Sequence, residues 1–509
     1  MLHDVIIVGA GPAGLFTACE LARHGVKARL LERATEHHGQ TRGTALQPGT
    51  LEVLSRAGVL EPLLAGGVHI HAVHMCRPGL VTIGRSRLQG IDAAYEFECS
   101  QPQSQTEDIL WEHLQSLGGT VELGVSVTNI EDEEDHLKVS LTHQDGTTEI
   151  ARARYVVGAG GSHSVVRSSM QHKRLEGLTY EGSYIVADVR MGIKPEPGEA
   201  TVVVGAHGFA LLAPLPDQRF LIFVDNPQPA AQAGPPPVEL LSALLDERVG
   251  LEVGVDDVRW ISNFQMHKRM APRMADGRRF LVGDAGHSSS PLGGHGLNTA
   301  LLDAADLAWK MALVLRSRGR SALLASYATE RQQADEHILQ VSDNVHRFVM
   351  GLIEQARQPQ TEAPPAPDEA ADRAQKRSKS LLDIAYQSPL VGEWLEPGRE
   401  RPSGPAPGER YPDRIALQGP LHHLLVFGAT PNGMDAFQDR WDGLVEVVDG
   451  AQASLRADRA GIPDGGMVLV RPDGYIGFRA ACTGADALQA VDAHLDSYLI
   501  PSKRVVTRV

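Results

Sequence analysis

Cysteine is scarce in this chain of 509 residues: Cys19, Cys76, Cys99 and Cys482 lie far apart, with no CxxC or CxxH spacing. That pattern excludes a disulfide scaffold and dithiol redox work, predicts no metal site, and fits a reducing compartment. No apolar run approaches the ~18 residues a spanning helix needs. Basic charge is short as well, since 48 Lys+Arg against 63 Asp+Glu leave −15. Such a balance argues against phosphate-backbone binding. Met1-Leu2-His3-Asp4 carries no basic stretch ahead of the first apolar run. The expectation is therefore a soluble, cytoplasmic protein with neither nucleic acid nor membrane as partner.

Glycine, in contrast, is abundant: 52 residues, about a tenth of the chain, against a usual ~7%. The most telling group is Gly9-Ala10-Gly11-Pro12-Ala13-Gly14. Before it, Val5 to Val8 reads as a buried strand; after it, Leu15, Ala18, Cys19 and Ala22 recur at helical spacing. A second strand, Lys27 to Leu31, ends in Glu32. In this strand–helix–strand unit, Gly9 permits the turn, Gly11 admits a pyrophosphate and Gly14 lets helix and strand pack closely. The free N–H groups of the helix start favour phosphate. Glu32, 18 residues after Gly14, is placed to accept ribose hydroxyls, which disfavours a 2′-phosphate and hence NADP there.

A second glycine cluster follows another predicted strand, Arg279 to Gly283. Asp284 sits at its end, and Pro291-Leu292-Gly293-Gly294-His295-Gly296-Leu297-Asn298 opens a long helix. The carboxylate suits a polyol chain, and the loop and helix start suit the anionic edge of a reduced flavin. Together the two motifs predict an FAD-binding oxidoreductase of α/β class.

Length over ~150 residues per domain suggests roughly three domains. Residues 1–176 read as the first part of a Rossmann-like FAD-binding domain, with some strands near 70–100 belonging to a substrate domain. Residues 177–265 read as an inserted antiparallel, β-rich substrate domain, and 266–395 as the second FAD-binding part. Linker texture is rich in proline at Gln358 to Asp368 and again at 396–412. Beyond it, 413–509 predicts strand, helix, strand and a hairpin turning at Pro472-Asp473-Gly474.

These motifs resemble the class A flavoprotein aromatic hydroxylases with the 4-hydroxybenzoate hydroxylase-like fold. The likeness is strongest to the longer phenol, pentachlorophenol and polyketide hydroxylase branch, which carries a C-terminal thioredoxin-like domain. Its carriers are the 9–14 motif with Glu32, Arg42-Gly43 to Leu46 leading into Thr50 to Leu54, and Gln103 ahead of Thr106-Glu107. To these add the Gly283-Asp284 and 291–298 boxes, Ser326-Tyr327 with Glu330-Arg331, and Gly408, Arg410 and Pro412.

The resemblance implies that Gly9, Gly11, Pro12, Ala13, Gly14, Glu32, Arg33, Arg42, Gln103 and Asp284 hold FAD. Gly294, Gly296, Leu297 and Asn298 would line the flavin ring, with Pro291 on the substrate side. Arg42, His295 and Pro291 are the candidates for a catalytic role. NAD(P)H would be a transient co-substrate, and a flavin C4a-hydroperoxide would hydroxylate a phenolic or polycyclic aromatic compound. Baeyer–Villiger insertion or epoxidation on the same scaffold remains open. The C-terminal domain would be structural, without CxxC, and the family admits a homodimer.

Three departures stand out. The family has Asp-Gly after the strand ending at Gly158, whereas this chain reads Gly160-Gly161, which raises the alternative of a flavin-binding protein with impaired NAD(P)H turnover. Gly286 stands where alanine is usual, and His295 falls within the glycine loop, either near the flavin or facing solvent. For a base acting on a phenol, the sequence offers His71, His74 and His207.

Overall fold

The computed structural model describes residues 1–36, 43–227, 234–358, 368–396, 398 and 401–501. Its first sheet runs in the order Ala275–Asp276, Arg279–Leu281, Thr148–Gly158, Leu2–Val8, Ala28–Glu32 and Val121–Leu123. All neighbours are parallel except Ala275–Asp276, which turns back on Arg279–Leu281. Val5, Ile6, Ile7, Val156 and Val157 are fully buried, as continuous apolar runs should be when helices or loops cover both sheet faces. Val125–Asp132 and Leu137–His143 extend Thr148–Gly158 as an antiparallel meander. The helices Pro12–Arg23 and Gly296–Leu315 pack together on this sheet. The carboxyl ends of its strands deliver Gly9, Glu32, Ala159 and Gly283 to one edge, where open α/β sheets bind ligands.

A seven-stranded sheet follows the order Val255–Phe264, Ser183–Met191, Arg219–Asn226, Gly208–Leu215, Glu199–Gly205, Ala72–Arg77 and Val81–Arg87. Residues 72–87 thus join the insert. One junction is parallel, Glu199–Gly205 against Ala72–Arg77, because the two strands come from distant chain segments. Alternation along Ser183–Met191 sorts the faces. Ile185, Ala187 and Val189 pack under the helix Val238–Val249, whereas Tyr184 and Val186 join the opposite cluster with Phe209 and Phe223. That second cluster receives Val349 and Ile353 from the 36-residue helix Ala322–Arg357. A short sheet of Glu176–Thr179, His267–Met270 and His287–Ser288 joins insert to first sheet.

The C-terminal sheet runs Gly392–Trp394, Ile476–Ala480, Gly466–Val470, His422–Phe427, Val445–Asp449. Its last four strands have thioredoxin-like order, with Gly466–Val470 antiparallel to both neighbours. Gly392–Trp394 pairs parallel with Ile476–Ala480, so this unit begins before residue 396. Nor is the Pro/Gly-rich stretch a free tether at its end. Arg410 donates to Glu52 at 2.9 Å, and Arg414 Nε reaches the same carboxylate at 2.8 Å. Gly408 has φ +91°, and a Cβ there would meet Tyr386 O at 2.2 Å. Residues 359–367, 397, 399 and 400 of the expected linkers lie outside the described residues.

Candidate functional site: a dinucleotide cradle opening into an apolar chamber

The turn after the first strand is shaped by what its glycines exclude. A Cβ at Gly9 would come 2.6 Å from Ala159 O, and one at Gly14 would come 1.9 Å from Gly9 O; at Gly11 nothing lies within 4 Å. Gly9 and Gly14 therefore close the strand–helix junction, and Gly11 leaves open space on the cavity side. Pro12 begins the helix, where a missing N–H costs nothing. Gly9, Ala10, Gly11, Pro12 and Ala13 line the cavity, as do Glu32 and the exposed Arg33. Gly14 lies beneath the turn. Glu32 accepts from Ala10 N at 2.8 Å and Ala34 N at 3.0 Å, which fixes the carboxylate and leaves each oxygen a further acceptor site.

Gln103 and Asp284 also line the cavity. Gln103 accepts from Gly43 N at 3.1 Å and donates to Glu107 at 2.8 Å, tying the 43–47 segment to the helix Gln103–Ser116. Arg42 lies outside the described residues. Gln47 Oε1 is buried in this wall without a hydrogen-bond partner, an acceptor that a ligand N–H would satisfy. The open Gly11 face, the fixed Glu32 and this orphaned acceptor fit FAD.

The glycine loop supplies the facing wall. Pro291, Leu292, Gly293, Gly294, Gly296, Leu297 and Ala300 line the cavity, and Gly294 turns the chain with φ +67°. Two residues of this motif, Asn298, expected at the ring, and His295, stand behind this wall. Asn298 is fully buried and donates to Ala45 O and Gly294 O at 2.8 and 2.7 Å, while accepting from Gln47 N at 2.7 Å. It locks the loop to the 45–47 segment. His295 neither lines the cavity nor faces solvent. It is fully buried; Nε2 donates to Lys379 O at 2.9 Å and Nδ1 accepts from Ser342 Oγ at 2.8 Å. Burial presses its pKa down to about 4.

Beneath Gly283-Asp284 lies a buried charge cluster. Asp303 accepts from Gly283 N, His287 Nε2 and Arg331 Nε at 2.8, 2.8 and 2.7 Å. Arg331 also binds Asp335 at 2.5 Å. Although burial opposes its charge, Asp303 and Asp335 raise His287 to about 9. The cluster sets His287 and Arg331 against Asp303 and Asp335, so Arg331 of the Glu330-Arg331 motif supports the loop carrying Asp284, while Glu330 turns to Lys310 and Arg471. Tyr327 donates to Leu281 O at 2.5 Å in the same support.

The Gly158–Gly161 run has two characters. At Gly158 a Cβ would lie 2.7 Å from Val166, but at Gly160 the nearest atom is Val8 O at 3.5 Å. With φ −81°, Gly160 has room for a side chain on the cavity wall. Arg167 pins this loop to the Gly283–Ala285 segment by donating to Ala285 O at 2.8 Å and Ser162 O at 2.5 Å. At Gly286 an alanine methyl would come 2.6 Å from Met274 Sδ, so the methionine already fills the space that a side chain here would need.

From the cradle the cavity continues, without interruption, into the concave face of the seven-stranded sheet, to a volume of about 1890 Å³. Val186, Val202, Leu211, Phe223, Trp260 and Phe264 form that apolar end. None of the three histidines singled out from the sequence lines it. His74 hydrogen-bonds Thr82 within the sheet at 2.8 Å, His71 packs edge-on against Phe97, and His207 is exposed beside Glu247. His267 does line it. It sits just past the expected insert boundary, where only strand pairing carries it to the chamber.

A family profile described as an FAD-binding domain matches residues 3–342, and one described as the C-terminal domain of aromatic-ring hydroxylases matches 397–499. Among curated proteins, the chain is 31% identical to 6-methylpretetramide 4-monooxygenase of Streptomyces rimosus, covering 96% of this chain and 92% of that one. It is 27% identical to pentachlorophenol 4-monooxygenase of Sphingobium chlorophenolicum, covering 96% of each. Among solved structures, the OxyS anhydrotetracycline hydroxylase of Streptomyces rimosus superposes with a TM-score of 0.76 at 26% identity, over 99% of this chain and all of the other. No helix among the described residues is long and apolar enough to cross a membrane. With its cradle inside the first profile and its C-terminal unit inside the second, the chain belongs to the FAD-dependent aromatic-ring hydroxylases.

Proposed function

We propose that this monooxygenase uses NAD(P)H and O₂ to hydroxylate a phenolic or polycyclic aromatic molecule. The observation that carries the reading is the continuity of cradle and chamber. One cavity of about 1890 Å³ exceeds the roughly 300–1,000 Å³ of a single-ligand pocket, which supports two occupants, FAD and a multi-ring substrate. FAD, when bound, supplies the oxygen-transferring chemistry. Gly9, Gly11, Gly14, Glu32, Arg33, Gln103 and Asp284 would hold its dinucleotide and ribityl parts, with Pro291, Gly294, Gly296 and Leu297 along the ring. The apolar sheet face would exclude water from the reacting edge. NAD(P)H would visit transiently, since no second GxGxxG is present.

The test is NAD(P)H oxidation by purified holoprotein with a panel of phenols. Acceleration by at least one phenol, with one oxygen atom added to it, is expected; no acceleration by any sinks the reading. Gly160 favours a second reading, a flavin protein with impaired NAD(P)H turnover. Anaerobic stopped-flow mixing with NADH and NADPH separates the two, because the second requires the flavin absorbance to persist with every ligand.

A further inference from the structure

On the sheet side of the chamber, one imidazole has a partner on one nitrogen only. His267 begins the strand His267–Met270, pairs in register with Thr179 and lines the cavity. Arg269 Nη2 donates to Thr179 Oγ1 at 2.6 Å. Among the described residues, His267 Nδ1, 2.9 Å away, is the acceptor within reach of the hydroxyl's own proton. With Nδ1 accepting, the ring hydrogen resides on Nε2. Among the described residues, Nε2 has no hydrogen-bond partner. Burial, and then the Arg269 charge, press the imidazole toward its neutral form. The half-buried ring thus offers a neutral N–H donor to the chamber, on a stretch of wall shared with Gln265 and Met266. Its neighbour Met266 accepts from Ser290 Oγ at 3.5 Å, and Ser288, Ser289 and Pro291 continue the lining. His267 therefore sits beside the segment leading into the flavin loop.

We infer that His267 is the specificity-determining residue that orients the substrate, donating its Nε2 hydrogen to an oxygen carried on the aromatic ring system, a phenolate or a ring-attached ketone. The inference rests on the proposed hydroxylase reading and sharpens it. A bound ring system without such an oxygen would cover this half-buried donor and leave it unpaired, and donors left unpaired on binding are what make polar recognition selective.

Dissociation constants of naphthalene, naphthol and acetylnaphthalene, read from the flavin absorbance of holoprotein, test it. His267→Leu should weaken naphthol, acetylnaphthalene or both about tenfold and naphthalene less than about twofold, whereas His267→Gln, which keeps a donor, should stay within about threefold. The arm that weakens tells phenolate from ketone. Thr179→Val leaves His267 in place but frees its tautomer, and should lower the preference for the oxygenated probe about threefold. It also keeps the test decisive should the Leu variant shed FAD. An equal change for all three probes, or unaltered selectivity in the variants that retain FAD, overturns the inference while the hydroxylase reading stands. Failure of the wild type to bind either oxygenated probe and to oxidise NAD(P)H faster with any phenol overturns both.

Discussion

Arg471, in the C-terminal hairpin, grips Glu330 of the helix Ala322–Arg357 with two parallel bonds, Nη1 to Oε1 and Nη2 to Oε2, both 2.8 Å. Both side chains are fully buried. Lys310 donates to the same carboxylate at 2.6 Å, and Arg471 also reaches Asp306 at 3.0 Å. The guanidinium lies 5.3 Å from the Trp309 ring and 5.0 Å from that of Tyr386. The C-terminal unit is thereby fastened to two helices, Ala322–Arg357 through Glu330 and Gly296–Leu315, which opens at the glycine loop, through Asp306.

Removing one member of this group should be costly. Glu330→Gln leaves Arg471 and Lys310 short of a counter-charge, and a loss of about 3–5 kcal/mol is expected. Denaturant unfolding would measure it. Pairing the change with Arg471→Met should cost less than the two single losses added together.

Part of the acid sensitivity should trace to His295, which shares a burial-depressed pKa with His422, His423 and His494. Its folded pKa of about 4 lies below the ordinary 6.5, so below pH 6.5 the unfolded chain binds a proton that the folded one refuses. Its contribution is present above pH 6.5 and is lost as pH falls through 4, on the order of 3 kcal/mol in all. Unfolding free energy between pH 7 and 4 should fall less steeply in His295→Gln than in the wild type.

Gly11 separates folding from cofactor binding. It sits in extended backbone, φ −72° and ψ −175°, with nothing within 4 Å of a Cβ. Gly11→Val should keep the apoprotein's unfolding midpoint close to wild type while FAD affinity falls at least about tenfold. Fluorescence titration with FAD checks it. Wild-type affinity would remove Gly11 from the pyrophosphate site.

Gly160 has room for the aspartate that the resemblance to this class leads one to expect. Gly160→Asp should be tolerated, gaining about 0.4–1 kcal/mol through the restricted unfolded chain. If the missing carboxylate limits coenzyme engagement, anaerobic flavin reduction by NAD(P)H should rise about tenfold, roughly 1.4 kcal/mol of barrier. An unchanged rate would show that the limit lies elsewhere.

Short-range residues made much of this legible. The 9–14 turn, Glu32, the Gly283-Asp284 box and the helix from Gly296 follow from local spacing, since tight turns and strand ends are set by neighbouring residues. Side-chain destinations were less legible. Asn298 and His295 stand within the glycine loop by sequence, but helical rotation carries both away from the cavity into bonds with Ala45, Lys379 and Ser342.

The sequence by itself determined the cradle, the α/β class, the inserted sheet and the absence of dithiol chemistry, all properties of local pattern and composition. Only the tertiary structure decided which histidine meets the chamber, why Glu52 and Glu330 are acidic, and that the scarce cations Arg410, Arg414 and Arg471 clamp the C-terminal unit. Those outcomes depend on segments far apart in the chain, 88 residues for His267 and Thr179, 141 for Arg471 and Glu330 and 362 for Arg414 and Glu52. A buried charge selects its partner by geometry and desolvation, and neither is written in the order of residues along the chain.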